Sequence, residues 1–187
     1  MAEMSKGKLI IADLDGTLLA RWAPGDYEPR PGPALPWVKA TGLPVVILTN
    51  QGGLALRWAG LPWAQKYPGL DTTLRRIRAG MEWSGAVLAL ATVNHRKQYA
   101  TARGRLLAAL GRLLLPLPVA SGVYISLNPD FRKPSPGGLL WLCRQMGVPP
   151  EEVVFVGDDE KDDRGVARAA GVRFVDAKRL VCKAQGG

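Results

Sequence analysis

The sequence predicts an α/β protein with a doubly wound parallel sheet. Short, continuous runs of Val, Ile and Leu recur along the chain, which is typical of strands that are buried on both faces. Longer helical patterns lie between these runs, and this alternation is characteristic of doubly wound α/β folds. The length of 187 residues suits one domain, so we expect residues 1–187 to form a single unit.

Six apolar runs are the predicted strands. They span residues 8–12, 44–48, 86–93, 122–127, 152–156 and 172–176. Polar residues follow four of these runs directly. In a parallel sheet the carboxyl ends of the strands meet along one edge, which is where functional loops gather.

The predicted helices span residues 71–83, 96–115, 135–147 and 163–171. Asp71 and Ser135 are expected to be N-caps, and Gly147 and Gly171 are expected to end their helices. The second helix has bases on one face and leucines on the other, the pattern of an amphipathic helix. Its apolar face consists of Leu106, Leu107, Leu110, Leu113 and Leu114.

The composition predicts a globular protein in a reducing compartment. Apolar residues make up 47% of the chain and charged residues 22%, which is enough to build a core. Cys143 and Cys182 form no C-x-x-C pair and are expected to be free thiols. No apolar run approaches the ~20 residues of a membrane span. The start, MAEMSKGK, has no apolar signal segment, so we expect a cytoplasmic protein without membrane contact.

Positive charge is concentrated in the middle of the chain. The net charge is +9, and residues 57–112 hold ten bases against two acids, a local net charge of +8. One interpretation is solvated helix faces. The other is a surface that attracts polyanions, because the segment also carries Trp and Tyr side chains that could stack on unpaired bases. His95, the only histidine, is expected to be a surface or packing residue.

The polar residues that follow the strands are typical of phosphoryl transfer. Clustered carboxylates bind a hard cation such as Mg²⁺, and a lysine helps it to neutralise a phosphoryl group. An Asp can attack phosphorus and so divide a difficult hydrolysis into two steps. The candidates are Asp13, Asp15, Thr17, Thr49, Asn50, Arg132, Lys133 and an acidic turn that contains Asp158, Asp159, Glu160, Asp162 and Asp163.

These residues resemble the four motifs of the haloacid dehalogenase-like (HAD) superfamily. The motifs are Asp13-x-Asp15-Gly16-Thr17, Thr49 after an apolar strand, Lys133, and the late acidic turn, and they occur in the family's order. The resemblance implies a Rossmann-like fold, a phosphomonoesterase activity and a Mg²⁺ cofactor.

The resemblance also implies a role for each matching residue. Asp13 would be the nucleophile and Asp15 the general acid and base. Thr49 and Lys133 would hold the phosphoryl group, and Thr17, Asn50 and Arg132 would contact substrate. The metal ligands would be Asp13, the backbone carbonyl of Asp15, Asp158 and an acid further along the turn. Asp159, Asp162 and Asp163 are all candidates for that last position; the family's spacing to Gly171 favours Asp163.

The stretches LTNQGG and NPDFRKPSPGGLL resemble one branch of the superfamily with little or no cap domain. The branch includes histidinol-phosphate phosphatases, heptose bisphosphate phosphatases and the 3′-phosphatase part of polynucleotide kinase–phosphatases. The first two often carry a Cys/His zinc loop, which this chain replaces with SLNPDF. The open site and the basic segment favour the 3′-phosphate end of DNA or RNA as substrate, with a separate kinase or ligase as a possible partner.

Two alternatives remain open. The first is a phosphatase of a small metabolite such as a sugar phosphate or histidinol phosphate. The second is a receiver-like signalling module, which also uses Asp, Thr and Lys on a parallel sheet but keeps its aspartyl-phosphate as a signal. The order of motifs favours the hydrolase, because Asp13 and Asp15 follow the first strand and the acidic turn comes after Lys133. The oligomeric state is not predicted.

Overall fold

A computed structural model describes residues 7–181 and contains one seven-stranded sheet. The strands are β1 (Leu9–Ala12), β2 (Val45–Asn50), β3 (Leu88–Thr92), β4 (Leu117–Ala120), β5 (Val123–Ser126), β6 (Val153–Gly157) and β7 (Arg173–Asp176). Their order is β4-β5-β3-β2-β1-β6-β7, and every neighbouring pair is parallel except β4 with β5.

Helices connect the strands. They are α1 (Leu35–Thr41), α2 (Gly52–Trp58), α3 (Leu70–Ser84), α4 (Ala102–Leu113), α5 (Gly137–Met146), α6 (Asp163–Ala170) and α7 (Lys178–Val181). Short 3-10 helices at Pro62–Lys66 and Arg96–Ala100 precede α3 and α4. No helix within residues 7–181 is long and apolar enough to cross a membrane.

The two faces of the sheet bury alternate residues of the same strands. On one face, Ile10 of β1 and Ile47 of β2 pack with residues of α1 and α3. On the other, Leu9 of β1 and Val46 of β2 pack with residues of α5 and α6. Because both faces are covered, the central strands carry no exposed side and read as continuous apolar runs.

The predicted α/β class is confirmed, as are all six predicted strands. The described residues form one sheet with flanking helices, which agrees with a chain that has little or no cap. The sequence interpretation missed β4, which lies in the stretch LLLPLPVA. Pro118 sits inside this antiparallel edge strand, and a proline is tolerated there because an edge strand has a side without ladder hydrogen bonds.

Two helix starts were predicted wrongly, each by one or two residues. The N-cap of α3 is Gly69, so Asp71 lies in the first turn, where its charge favours the helix dipole. The N-cap of α5 is Pro136, so Ser135 precedes the cap. The helix ends were predicted correctly: Gly147 and Gly171 are left-handed C-caps, with φ of 64° and 71°.

The expected apolar face of α4 points away from the core. Residues 96–100 form a separate 3-10 helix, and α4 buries Gly104, Ala108 and Gly111. A side chain at Gly104 or Gly111 would collide with the backbone carbonyl of Gln98 or Leu127, so α4 lies against backbone through its small residues. The larger side chains therefore lie outside: Leu106, Leu110, Leu113 and Leu114 are all exposed, and Leu113 is 83% exposed.

Candidate active site

The carboxyl ends of the central strands meet at a cavity of about 200 Å³, the catalytic cavity. β1 lies between β2 and β6 in the sheet, so the loops that follow these three strands are neighbours. The lining residues are Asp13, Asp15, Arg21, Trp22, Thr49, Asn50, Lys133, Asp158, Asp159, Asp162 and Asp163. The structure thus brings together residues from all four sequence motifs.

Lys133 joins the first motif to the last. Its Nζ donates to Oδ1 of Asp13 and to Oδ1 of Asp163, both at 2.6 Å. Burial alone would lower the pKa of Lys133, but the two carboxylates raise it overall, so its charge is retained. Burial raises the pKa of Asp13 to about 7; Lys133 opposes this shift and Asp163 adds to it.

The acidic turn is held together by its own carboxylates. Oδ2 of Asp163 accepts the backbone N–H groups of Asp158 and Asp159, at 2.9 and 3.0 Å. Oδ1 of Asp159 accepts the backbone N–H groups of Lys161 and Asp162. Gly157 makes room for this arrangement, because a Cβ there would overlap Asp163. Of the three candidates, Asp163 is therefore the one that holds Asp158 in place.

The residues present fit a divalent cation. Ligand oxygens of Asp13, Asp158 and Asp163 lie within 4.8 Å of one another, and all three residues are buried. Buried carboxylates without a compensating cation are unfavourable, and oxygen is the ligand that Mg²⁺ prefers. Within residues 7–181, Oδ2 of Asp13 and Oδ1 of Asp158 have no hydrogen-bond partner, whereas both oxygens of Asp163 are engaged. The predicted Mg²⁺ cofactor is supported by this cluster.

Arg21 contacts the same cluster and was missed by the sequence interpretation. Its Nε and Nη2 donate to Oδ2 of Asp158 at 3.1 and 2.7 Å, while 64% of its side chain is exposed. Gly16 permits this approach: it has φ of +95°, and a Cβ there would come within 2.5 Å of Oδ2 of Asp158. The Asp-x-Asp-Gly motif therefore needs glycine for both its backbone conformation and its space.

Asp15 is fixed by two residues that the sequence did not single out. Arg76 of α3 donates to Oδ1 of Asp15 at 2.7 Å, and Gln51 donates to Oδ2 at 3.1 Å and to Oγ1 of Thr49 at 2.9 Å. Arg76 is only 2% exposed. Nothing in the sequence of α3 distinguishes Arg76 from Arg75, its exposed neighbour.

The three residues that were predicted to contact substrate differ in their position relative to the catalytic cavity. Asn50 lines the cavity, whereas Arg132 and the fully buried Thr17 do not, and their contacts with substrate stay predictions. The amide of Asn50 bonds the backbone of Lys133 and the carboxylate of Asp162, which fixes the loop that carries Lys133. Arg132 donates to the carbonyl of Asn94, and its Nη2 lies 3.9 Å from Oδ2 of Asp162.

Two further cavities adjoin the catalytic cavity. The larger, the cationic groove, has a volume of about 590 Å³ and includes Arg96, Tyr99, Arg132 and Lys161 in its lining. The smaller, the aromatic pocket, has a volume of about 200 Å³. It is lined by Asp15, Trp22, Asn50, Gln51, Gly52, Gly53, Leu54, Leu56, Tyr67, Pro68, His95 and Arg132. His95, which was expected to be a surface or packing residue, is half-buried between the cationic groove and the aromatic pocket. Burial lowers the pKa of its imidazole, and nearby bases add to this effect.

The basic segment is less available to polyanions than its charge suggests. Arg76 is buried, Arg57 donates to the carbonyls of Gln65 and Tyr67, and Arg75 pairs with Glu28. Most of the segment's Trp and Tyr rings are half-buried, but Trp63 and Tyr99 are 45% and 37% exposed.

Cys143 is a buried free thiol, while Cys182 lies outside the described residues.

Two solved structures that are similar to this chain are described as phosphatases. A protein from Mesorhizobium loti described as a HAD-like phosphatase is 23% identical, with a TM-score of 0.55, over 89% of this chain and 69% of that one. D,D-heptose 1,7-bisphosphate phosphatase from B. bronchiseptica was solved with magnesium and phosphate. It is 21% identical, with a TM-score of 0.47, over 94% of this chain and 99% of that one. The first of these similarities shows a shared fold.

The family is shown by sequence. No curated protein sequence matches the chain. The family model for haloacid dehalogenase-like hydrolases matches residues 61–171, which is more than half of the chain and includes Lys133 and the acidic turn. The resemblance inferred from the four motifs is confirmed, and the chain belongs to the haloacid dehalogenase-like hydrolase family.

Proposed function

We propose that this hydrolase is a Mg²⁺-dependent phosphomonoesterase in which Asp13 is the nucleophile. The observation that carries the proposal is the contact of Lys133 with both Asp13 and Asp163 at the base of a cavity lined by Asp158. Oδ1 of Asp13 accepts a hydrogen bond from Lys133, which orients the carboxylate.

The reaction divides into two displacements. In the first, a carboxylate oxygen of Asp13 forms a bond to phosphorus while the bond to the ester oxygen breaks, and Asp15 gives its proton to that oxygen. In the second, Asp15 takes a proton from water, the water oxygen bonds to phosphorus, and the Asp13–phosphorus bond breaks to release phosphate. Arg76 and Gln51 hold Asp15 in place through both steps.

Charge on the phosphoryl group is balanced by the chain and by the metal. Lys133 supplies a fixed positive charge, and Thr49 lines the same cavity. Asp13 and Asp158 would hold Mg²⁺ together with the backbone carbonyl of Asp15. Asp163 would keep these ligands in place through its hydrogen bonds with Lys133 and with the backbone N–H of Asp158. Bound Mg²⁺ would neutralise charge that develops on the phosphoryl oxygens.

The substrate that we infer is the 3′-phosphate at an end of DNA or RNA. The cationic groove opens beside the catalytic cavity, shares Lys133, Asp159 and Asp162 with it, and offers room for a strand as well as cations for its phosphates. A small phosphorylated metabolite is the second candidate. It is favoured by the internal pairing of Arg57, Arg75 and Arg76, which removes three bases from any polyanion surface.

The central experiment is phosphate release from a panel of esters with and without Mg²⁺. The panel sets 3′-phosphorylated DNA and RNA against 5′-phosphorylated ends, sugar phosphates and nucleotides. EDTA should stop release and Mg²⁺ should restore it, and Asp13→Asn should abolish it because an amide is not a nucleophile here. A wild-type protein that becomes stably phosphorylated without turnover would contradict the enzyme and support the receiver-like alternative.

A second experiment separates the two substrate classes. Arg96 lines the cationic groove and does not line the catalytic cavity. Arg96→Glu should raise KM for a 3′-phosphorylated oligonucleotide, and the increase should shrink at high salt because the lost interaction is electrostatic. The same variant should turn over a small phosphate ester with nearly unchanged KM, because Arg96 does not line the catalytic cavity. Equal effects on both substrates would contradict a polynucleotide substrate.

A further inference from the structure

The catalytic cavity connects to two neighbouring cavities, and the position of Asp15 distinguishes them. A general acid must come within hydrogen-bond reach of the leaving oxygen. Asp15 lines the aromatic pocket as well as the catalytic cavity, but it does not line the cationic groove. This position of Asp15 favours a leaving group that extends from the catalytic cavity towards the aromatic pocket rather than into the cationic groove.

Two aromatic side chains form a corner in this pocket. The rings of Trp22 and Tyr67 lie 6.1 Å apart at 84°, so one face and one edge meet nearly at right angles. Trp22 lines both the catalytic cavity and the aromatic pocket and so stands at the passage between them. A planar ring placed in this corner would stack on one side chain and meet the other edge-on, which is the geometry aromatic pairs prefer.

Contacts from neighbouring residues fix the two rings of this corner. Tyr27 lies against Trp22 at 5.5 Å and donates its hydroxyl to the carbonyl of Lys66 at 2.6 Å. Arg57 donates to the carbonyl of Tyr67 at 3.0 Å. Gly53 is required for the approach of Tyr67, because a Cβ at Gly53 would come within 2.6 Å of the ring.

We propose that the aromatic pocket is the leaving-group subsite and that Trp22 and Tyr67 select a leaving group with a planar ring, such as a nucleoside. The inference rests on the proposed phosphatase function, because it uses Asp15 as the general acid. The volume of about 200 Å³ falls below the ~300–1,000 Å³ of drug-sized ligand sites and suits one ring system. The remainder of a longer strand would continue past Arg132 and His95, which line both the aromatic pocket and the cationic groove.

The test compares two substrates that differ only in a base. One is a short oligonucleotide with a 3′-terminal phosphate; the other has the same sequence but an abasic sugar as its last residue. Stacking of one base on an aromatic side chain contributes ~1–3 kcal/mol, so the wild type should prefer the base-containing end about 5- to 150-fold in kcat/KM. In Tyr67→Ala that ratio should fall towards one, mainly through KM. Tyr67→Phe keeps the ring and should keep the ratio.

Gly53→Ala provides an independent perturbation, since it displaces the ring of Tyr67 without removing it. It should also lower the preference for the base. A merely structural role for Tyr67 would lower kcat/KM for both substrates equally and leave the ratio unchanged, which would overturn the proposal. A wild type that does not distinguish the two substrates would overturn it as well.

Binding to Asp13→Asn separates the subsite from the reaction. Calorimetric titration with a nucleoside 3′-monophosphate and with ribose 3-phosphate requires no turnover. Tighter binding of the nucleoside, lost in Asp13→Asn/Tyr67→Ala, would establish the subsite even if the wild type failed to release phosphate. Equal binding of both ligands, with phosphate release intact, would refute the subsite and leave the proposed reaction standing.

Discussion

Arg75 and Arg76 are neighbours on α3, and their surroundings predict opposite consequences for the same substitution. The side chain of Arg76 is 3% exposed and pairs with Asp15 at 2.7 Å. It also donates to the carbonyls of Ala20, Tyr27 and Glu28. Arg75 is 53% exposed and pairs with Glu28, whose side chain is 64% exposed.

Arg76→Met should therefore be far more costly than Arg75→Met. Removing one partner of a buried ion pair destabilises by ~3–5 kcal/mol, because the other charge stays buried without compensation. An exposed pair contributes only ~0–1 kcal/mol. For a chain of this size each kcal/mol shifts Tm by roughly 2–4 °C, so Arg76→Met should lower Tm by about 6–20 °C and Arg75→Met by at most about 4 °C.

Thermal and guanidinium unfolding measure the difference in stability, and steady-state kinetics measure the effect on Asp15. Arg76→Lys keeps the charge but not the planar fork, so it should lie between wild type and Arg76→Met in both stability and kcat. In a double-mutant cycle with Asp15→Asn, Arg76→Met should show a coupling energy of ~0.5–3 kcal/mol. Equal losses in Arg75→Met and Arg76→Met would refute the assignment of Arg76 to the interior.

Three other predictions follow from local geometry. Gly16→Ala should weaken Mg²⁺ binding and phosphate release as well as stability, because φ is +95° there and an added Cβ would meet Asp158. Gly147→Ala is the control: φ is 64°, but no atom lies within 4 Å of an added Cβ, so this substitution should lower stability alone. Leu113→Ser should leave Tm within about 2 °C of wild type because Leu113 is 83% exposed, whereas Ile77→Ala, fully buried, should cost ~2–5 kcal/mol. Inorganic phosphate should bind by calorimetry with Mg²⁺ and only weakly with EDTA; tight binding without metal would contradict the charge balance of the site.

The central strands were predictable because burial on both faces leaves a strong local pattern. β1, β6 and residues 45–48 of β2 are continuous apolar runs, and a polar motif follows each of these runs. The order of the motifs along the chain then predicted which side chains would meet at one edge of the sheet. Local composition and topology together were sufficient for the positions of Asp13, Thr49 and Asp158.

The buried face of helix α4 could not be predicted in this way, because the apolar residues of its sequence lie on the face that does not pack against the protein. The leucine stripe resembles a buried face, yet the helix packs through Gly104, Ala108 and Gly111. Which face packs is decided by how closely the backbone of another segment approaches. That distance is a tertiary property, and no periodicity of apolar residues encodes it.

The supporting residues of the site were missed for a related reason. Arg76 lies in no motif, and Gln51 was not predicted as a site residue although it lies in the stretch LTNQGG. The importance of both comes from Asp15, which lies 61 and 36 positions away along the chain. Arg76 was instead counted among the bases of residues 57–112. A net charge along the sequence does not distinguish a buried, paired guanidinium from an exposed one.

The acidic turn is best understood from the charge of the whole site. Six carboxylates line the catalytic cavity: Asp13, Asp15, Asp158, Asp159, Asp162 and Asp163. Four cations lie against them: Lys133, Arg76, Arg21 and Arg132. With every group ionised the formal balance is −2, and with the proton that Asp15 would carry as general acid it is −1. A phosphate dianion that approached the metal-free cavity would meet net repulsion in either case, so we expect the metal to assist substrate binding as well as the chemical step. A bound divalent cation would offset this excess of carboxylates, which gives a physical reason for the crowding of acids in a chain of net charge +9.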